Sequence, residues 1–425
     1  MTSDRDLPSG RLSRVARLTW LGARTGAGLL LEKRGERAAE TAAEVLGTMR
    51  GLAAKMGQMA SYVDGVVPES KRDAFEAALG TLRAAAPTSS PEAIRGVIER
   101  ELGAPPRELF ASFDDAPLAS ASIGQVHAAT LHDGTEVVVK VQHPGIERAV
   151  DHDLKNMRVM GGLKSAMIGA KFEAKRVMEE LDRHFREELD YGLEAERQRL
   201  FREMHAHDPR ILVPRVIGER SARRVMTSER VRGLSFEEAC AAPEADRRAW
   251  AKALWAFVFR SSLQGGHFNA DPHPGNFFFH EGGRVTAIDY GCVVQLPVAR
   301  REVAKRVHQA AIAGDRAAFR EAGKVMMQTN GGAFEALVLD YLERCFLPLS
   351  ESPYRITREY AGSLVDGMVK GAVEGLKTKK DEMVPLPEGM ALMNRLQFGF
   401  YSVLARMDVE VDYAAVERGL FAERL

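Results

Sequence analysis

The sequence predicts an α+β fold of two lobes behind a helical extension, and three observations predict it. β-prone runs at residues 123–131 and 136–142 flank His132-Asp133-Gly134-Thr135, and Asp-Gly is a strong hairpin signal. Beyond Gly233 the apolar residues mostly recur at helical spacing. Within that later region lie Asn269-Ala270-Asp271-Pro272-His273-Pro274-Gly275-Asn276 and Ala287-Ile288-Asp289-Tyr290-Gly291, polar groups clustered on short loops.

Taken in order, alanine-rich segments 36–59 and 70–86 show helical spacing. Pro87-Thr88-Ser89-Ser90-Pro91 is a loop leading into a helix, with Ser90 as N-cap, Pro91 at its first position and Glu92 in its first turn. That helix should end near Gly103, before Pro105-Pro106. The hairpin 123–142 follows, then a long charged helix over about residues 171–205. Residues 213–231 read as two strands broken at Gly218-Glu219-Arg220, and residues 277–288 as a hairpin turning at Gly282-Gly283. The expected organisation is a helical extension over 1–112, a small β-containing lobe over 113–232, and a helical large lobe over 233–425.

Composition narrows the function classes. Lysine plus arginine equals aspartate plus glutamate, at 59 each, so no bulk charge draws nucleic acid. Cys240, Cys292 and Cys345 match neither a metal spacing nor a disulfide framework, which favours a reducing, cytoplasmic setting. No run approaches the ~18–20 apolar residues needed to cross a bilayer. The expectation is a protein without a transmembrane segment, at most peripheral on a membrane.

Asp271 and Asn276 stand five residues apart, and Asp289 follows at a strand end before Tyr290-Gly291. This is the magnesium-phosphate spacing of a protein-kinase-like catalytic loop. Asp271 is placed to accept a hydroxyl proton, and Asn276 and Asp289 to hold magnesium around a triphosphate. As single dipeptides they would be ordinary turns, but the combined spacing points to ATP and Mg2+. Lys140 ends Val137-Val138-Val139-Lys140, where a strand-borne cation reaches the α- and β-phosphates if a carboxylate steadies it. Glu194, on the following helix, is the candidate partner. By itself Lys140 could equally be a solvated edge-strand lysine.

The chain resembles the UbiB/AarF family of atypical kinase-like proteins associated with ubiquinone biosynthesis. The likeness runs from about Leu52 to at least Val294. It rests on Lys55-Met56-Gly57-Gln58, Pro117-Leu118-Ala119-Ser120-Ala121-Ser122-Ile123-Gly124-Gln125-Val126-His127, Val139-Lys140-Val141-Gln142-His143-Pro144-Gly145, Glu188-Leu189-Asp190-Tyr191 and the Asp271 and Asp289 motifs. The resemblance implies a protein-kinase-like two-lobe fold in which Ala119, Ser120, Ala121 and Ser122 replace the usual glycine-rich phosphate loop. It also implies a regulatory helix in the extension, where Lys55 and Gln58 share one face and Lys55 meets Glu188 or Asp190. Such a helix in the substrate groove makes phosphorylation of proteins in trans an unfavoured activity. Four positions depart from common kinase or family patterns or adjoin the motifs. Asn269 stands where a histidine often supports the loop, and Tyr290 replaces phenylalanine, adding a hydroxyl that needs a partner if buried. Val138 would narrow a base pocket, and Cys292 reads as a small core residue.

Near the start, Leu12, Val15, Ala16 and Trp20 fall on one helical face, with Arg11, Arg14, Arg17 and Arg24 mostly opposite. That pattern suits an anionic membrane surface, although Leu18 and Leu21 fall on the arginine side and a plain packing helix or a disordered leader is the readier reading. The expected function is that of a Mg-dependent ATPase supporting ubiquinone or isoprenoid-lipid metabolism. The expected partners are nucleotide, a lipid or quinone precursor, and an anionic membrane surface. Transfer to a small-molecule or protein hydroxyl, and a non-catalytic nucleotide-gated lipid-binding scaffold, are the alternatives.

Overall fold

The structure is a computed structural model that describes residues 88–121, 123–151, 183, 186–375 and 390–423. In chain order its elements are α1 (Pro91–Leu102), α2 (Pro106–Leu109), β1 (Ser112–Ser120), β2 (Gly124–Thr130), β3 (Glu136–Gln142), α3 (Tyr191–Met204), β4 (Ile211–Leu212) and β5 (Val225–Glu229). Next come α4 (Phe236–Cys240), α5 (Glu244–Phe259), β6 (His267–Asn269), β7 (Phe277–His280), β8 (Arg284–Ala287) and β9 (Val293–Gln295). The remainder is α6 (Val298–Ala313), α7 (Arg316–Met327), α8 (Gly332–Cys345), α9 (Leu347–Ser350), β10 (Tyr354–Arg355), α10 (Arg358–Gly375), α11 (Met390–Met407), β11 (Glu410–Val411) and α12 (Tyr413–Ala422). The mixture is the expected α+β one, strands first and helices later. The described residues fall into two compact units, one within Val67–Leu193 and Ile217–Arg230, the other within Glu194–Val216 and Val231–Leu425.

The first unit is built on an antiparallel sheet of order β1-β2-β3-β5. Its central hairpin follows the sequence reading: Gly134 takes φ 88° and the Asp133 carboxylate accepts the Thr135 N–H at 2.9 Å. Successive residues of a strand face opposite ways, so Val137, Val139 and Val141 share one side of β3. All three are fully buried against Ile94, Val97 and Ile98 of α1. Each such burial is worth about 1.5–3 kcal/mol, so this face fixes how α1 lies on the sheet. α1 starts and stops where its sequence says: the Ser90 hydroxyl accepts from Ala93 N, and Gly103 closes it at φ 78°.

Three local readings need correction. The expected helix over about 171–205 is interrupted among the described residues at Leu189-Asp190, and α3 begins only at Tyr191. The Asp190 carboxylate caps Leu193 N at 3.1 Å, and Tyr191 N donates to Arg223 O at 2.8 Å, which withdraws that donor from any preceding helix. The expected strand pair over 213–231 yields only β5 and, upstream, the two-residue β4. Pro214 has no N–H for a ladder, and the carbonyls of Val213 and Pro214 are taken by Arg202 and Gln198 side chains of α3. β1 was missed because Ser-Phe-Asp-Asp-Ala-Pro-Leu-Ala-Ser has poor strand propensity; as an edge strand with irregular register it tolerates Pro117.

The second unit packs helices around α5, whose Ala251, Ala253, Leu254, Trp255 and Ala256 are all fully buried. The Trp255 indole N–H donates to the Glu417 carboxylate of α12 at 2.9 Å. On this core lie a three-stranded sheet of order β4-β8-β7 and the short pair β6-β9. The β7–β8 hairpin turns at Gly282 and Gly283, both at positive φ, as its sequence predicts.

Candidate functional site

In the second unit the polar loop residues are drawn together by backbone and amide hydrogen bonds. β6 delivers the chain to Asp271, a buried residue, and β9 receives it after Asp289, with Asn269 opposite Val293. Ala270 N donates to Cys292 O at 2.8 Å, extending that pairing. Pro274–Asn276 form a single 3-10 turn, where His273 Nδ1 accepts Gly275 N at 2.9 Å. Asn276 Nδ2 donates to Asp271 O at 3.1 Å, and Ile288 N donates to Asn276 O at 3.0 Å. The structure therefore brings Asp271, Asn276 and Asp289 into one hydrogen-bonded loop cluster.

Asn269 ties this cluster from beneath. Its Nδ2 donates to Asp289 O at 2.5 Å, while its Oδ1 accepts Asp271 N at 3.0 Å. One amide thus sets the spacing between the two carboxylate-bearing loops, a support role the sequence position suggested without showing the bonds. The Asp289 carboxylate accepts Gly291 N at 2.9 Å. Tyr290 is fully buried and its hydroxyl donates to Ala287 O at 3.1 Å, the partner its burial demands. Burial, with the Asp289 charge beside it, raises the Tyr290 phenol well above its ordinary value. Cys292 is buried, as its core reading requires.

Glu194 is buried in the first turn of α3. One turn on, Arg197 Nη1 donates to Gly291 O at 2.9 Å, and Phe201 packs its ring against Tyr290 with centroids 4.9 Å apart. α3 is therefore fastened to the Asp289 loop at two levels. Arg197 was not singled out from sequence; its one-turn spacing from Glu194 was the available signal.

The donor set suits magnesium. Asn276 commits its side-chain nitrogen to Asp271 O, so its side-chain oxygen is the atom that could serve a cation. With the Asp289 carboxylate it would present hard oxygen ligands, and magnesium commonly completes its shell with phosphates and water.

In the first unit, Lys140 lies on β3 opposite Val126 and Met226. Parity places it with Val138 on the side of the strand away from α1. The Lys140 ammonium sits 4.8 Å from the centroid of the Tyr191 ring, a cation–π geometry. Tyr191 is fully buried and belongs to the Glu188-Leu189-Asp190-Tyr191 motif, though no role was read for it from sequence. Gln142, two residues beyond Lys140, donates its Nε2 to Leu189 O at 2.8 Å and holds that turn to the strand. Glu188 is buried, and Asp190 spends one oxygen on the α3 cap.

The segment expected to replace a glycine-rich loop lies at the β1–β2 hairpin. Ala119 pairs with Val126 and Ser120 with Gln125, and Ala121 N donates to Gly124 O at 2.8 Å. Gly124 is needed for close approach: a Cβ there would lie 2.5 Å from both Val141 O and the Tyr191 hydroxyl. Ser122 lies outside the described residues, as do Lys55 and Gln58 with their expected contact to Glu188 or Asp190, and residues 11–24. Among the described residues, no helix is long and apolar enough to cross a membrane.

Residues 81–323 match the family described as the ABC1 atypical kinase-like domain. The zebrafish (Danio rerio) mitochondrial atypical kinase COQ8B is 32% identical over 333 residues, 77% of this chain and 52% of its own length. The probable protein kinase UbiB of Marinobacter nauticus is 34% identical over 247 residues, 56% of this chain and 44% of its own length. The chain thus spans about half the length of these curated relatives. The solved structure of Rv3197 with erythromycin, from Mycobacterium tuberculosis, superposes with a TM-score of 0.63 at 26% identity, covering 98% of this chain and all of that one.

Proposed function

From the premise that this chain belongs to the ABC1 atypical kinase-like family, we propose that it binds Mg-ATP and hydrolyses it. The observation that carries the reading is the loop cluster in which Asn269 and Asn276 tie Asp271 to Asp289. Asn276 and Asp289 would hold the metal, which when bound supplies neutralisation of phosphate charge. Lys140 would position the α- and β-phosphates, with Glu194 as the carboxylate that steadies it. Ala119, Ser120, Ala121 and Ser122 would cover the phosphates. The buried Asp271 carboxylate would orient a water, or a small hydroxyl, and accept its proton. A regulatory role for Lys55 and Gln58 with Glu188 and Asp190, and service to isoprenoid-quinone or lipid metabolism at an anionic membrane, complete the proposal; these follow from the family resemblance.

The test is release of free phosphate from Mg-ATP by the purified chain, with and without anionic liposomes, beside Asp289→Ala and Asp271→Asn. Turnover that disappears in both variants while Asp271→Asn still binds nucleotide supports the reading. Equal release by Asp289→Ala would remove the metal assignment. Labelled phosphate reaching an added hydroxyl acceptor faster than water would replace hydrolysis with transfer.

A further inference from the structure

A buried polar relay runs beneath the β1–β2 hairpin turn, and nothing in the proposed chemistry uses it. His143, immediately after β3, is buried and grips the turn twice. Its backbone N–H donates to Ile123 O at 2.9 Å, and its Nε2 lies 3.1 Å from Ala121 O. Its Nδ1 lies 2.9 Å from Ser89 Oγ. Ser89 N donates to the Gln125 side-chain oxygen, and Gln125 Nε2 lies 3.2 Å from His127 Nε2. His127 Nδ1 in turn lies 2.9 Å from Asp114 O.

The carbonyl and amide contacts fix the protons that face them. A carbonyl oxygen only accepts, so the Nε2 of His143 carries hydrogen, while its Nδ1 shares a hydrogen bond with the Ser89 hydroxyl. A glutamine amide nitrogen only donates, so His127 accepts at Nε2 and carries hydrogen at Nδ1, which points to Asp114 O. His127, which accepts at one ring nitrogen, is neutral in this arrangement. Burial holds His127 below its ordinary value, in keeping with it.

We infer that His143, oriented by Ser89, is a positioning residue that sets the backbone of the Ala119–Ala121 hairpin end. A glycine-rich loop approaches phosphates because it lacks side chains and can adapt. Here no glycine lies between Gly103 and Gly124, and the turn is instead locked by His143 on two carbonyls and by the Ala121–Gly124 bond. The exposed Ala121 then presents one backbone arrangement to a nucleotide. The inference deepens the Mg-ATP reading and rests on it for its functional consequence.

The test uses the full chain with His143→Leu, His143→Gln and Ser89→Ala. Amide hydrogen exchange at Ala121 and Gly124 is read without nucleotide, and Mg-ATP and Mg-ADP affinities are read separately. His143→Leu should speed exchange at Ala121 by roughly 3- to 10-fold, the size of one lost hydrogen bond, and change the ATP-to-ADP affinity ratio. His143→Gln, which keeps a distal N–H donor, should restore both toward wild type, with Ser89→Ala between. Should His143→Leu fail to fold, the half-buried Ser89→Ala reads the same turn. Unchanged exchange in the folded variants, or equal effects of leucine and glutamine, would overturn the inference. Wild-type protein that binds neither nucleotide would sink the Mg-ATP reading alone, because the exchange measurements judge the grip independently.

Discussion

Replacing Asn269 with alanine isolates the geometry on which the loop cluster depends. The change removes the 2.5 Å bond to Asp289 O and the 3.0 Å bond from Asp271 N. At about 0.5–1.5 kcal/mol each, the loss is about 1–3 kcal/mol. It also frees two loops to move relative to each other. If that energy falls on the transition state, phosphate release should drop by ~5- to 150-fold, at roughly 1.4 kcal/mol per factor of ten. Asn269→Asp keeps an acceptor for Asp271 N but loses the donor to Asp289 O, so it should resemble alanine. Asn269→His restores one donor and one acceptor in the neutral ring, and should recover a large part of the rate. Thermal unfolding measured beside phosphate release separates loss of fold from loss of alignment. Wild-type turnover and unchanged unfolding in Asn269→Ala would refute the claim that this amide spaces the two carboxylates.

Gly124→Ala should cost about 2 kcal/mol or more, because its Cβ meets the Val141 carbonyl and the Tyr191 hydroxyl at 2.5 Å; a folded protein with wild-type unfolding temperature would contradict the packing. His205, buried beside the Arg260 charge, is held down to about 3, so the unfolded chain binds its proton near pH 6.5 while the folded chain does not. Its stabilising contribution is therefore complete above about pH 6.5 and is lost progressively down to about pH 3, at up to ~1.4 kcal/mol per unit. His205→Gln should flatten that part of the stability profile, as read by denaturant titrations between pH 4 and 8, and an unchanged slope would show that other groups carry it.

What could be read from sequence was local. The α1 caps at Ser90 and Gly103, the Asp133-Gly134 hairpin and the Gly282-Gly283 turn each depend on a few adjacent residues whose backbone preferences agree with the fold. The spacing of Asp271, Asn276 and Asp289 was legible for the same reason, and it led to the family that residues 81–323 match. The failures share the opposite character. β1 is a strand because β2 offers it a ladder, and the chain after Val213 is not one because α3 side chains take its carbonyls. The break before α3 owes as much to Arg223 O as to Asp190.

Residue identity along the chain determined which groups are available for metal and phosphate chemistry, since carboxylate, amide and ammonium are fixed by composition. Tertiary structure alone decided their support: Arg197 reaches Gly291 across 94 residues, Ser89 reaches His143 across 54, and the Tyr191 ring lies under Lys140. Such pairings leave no periodic trace, because a hydrogen bond or ring contact constrains where two side chains meet in space and not how far apart they stand in the chain.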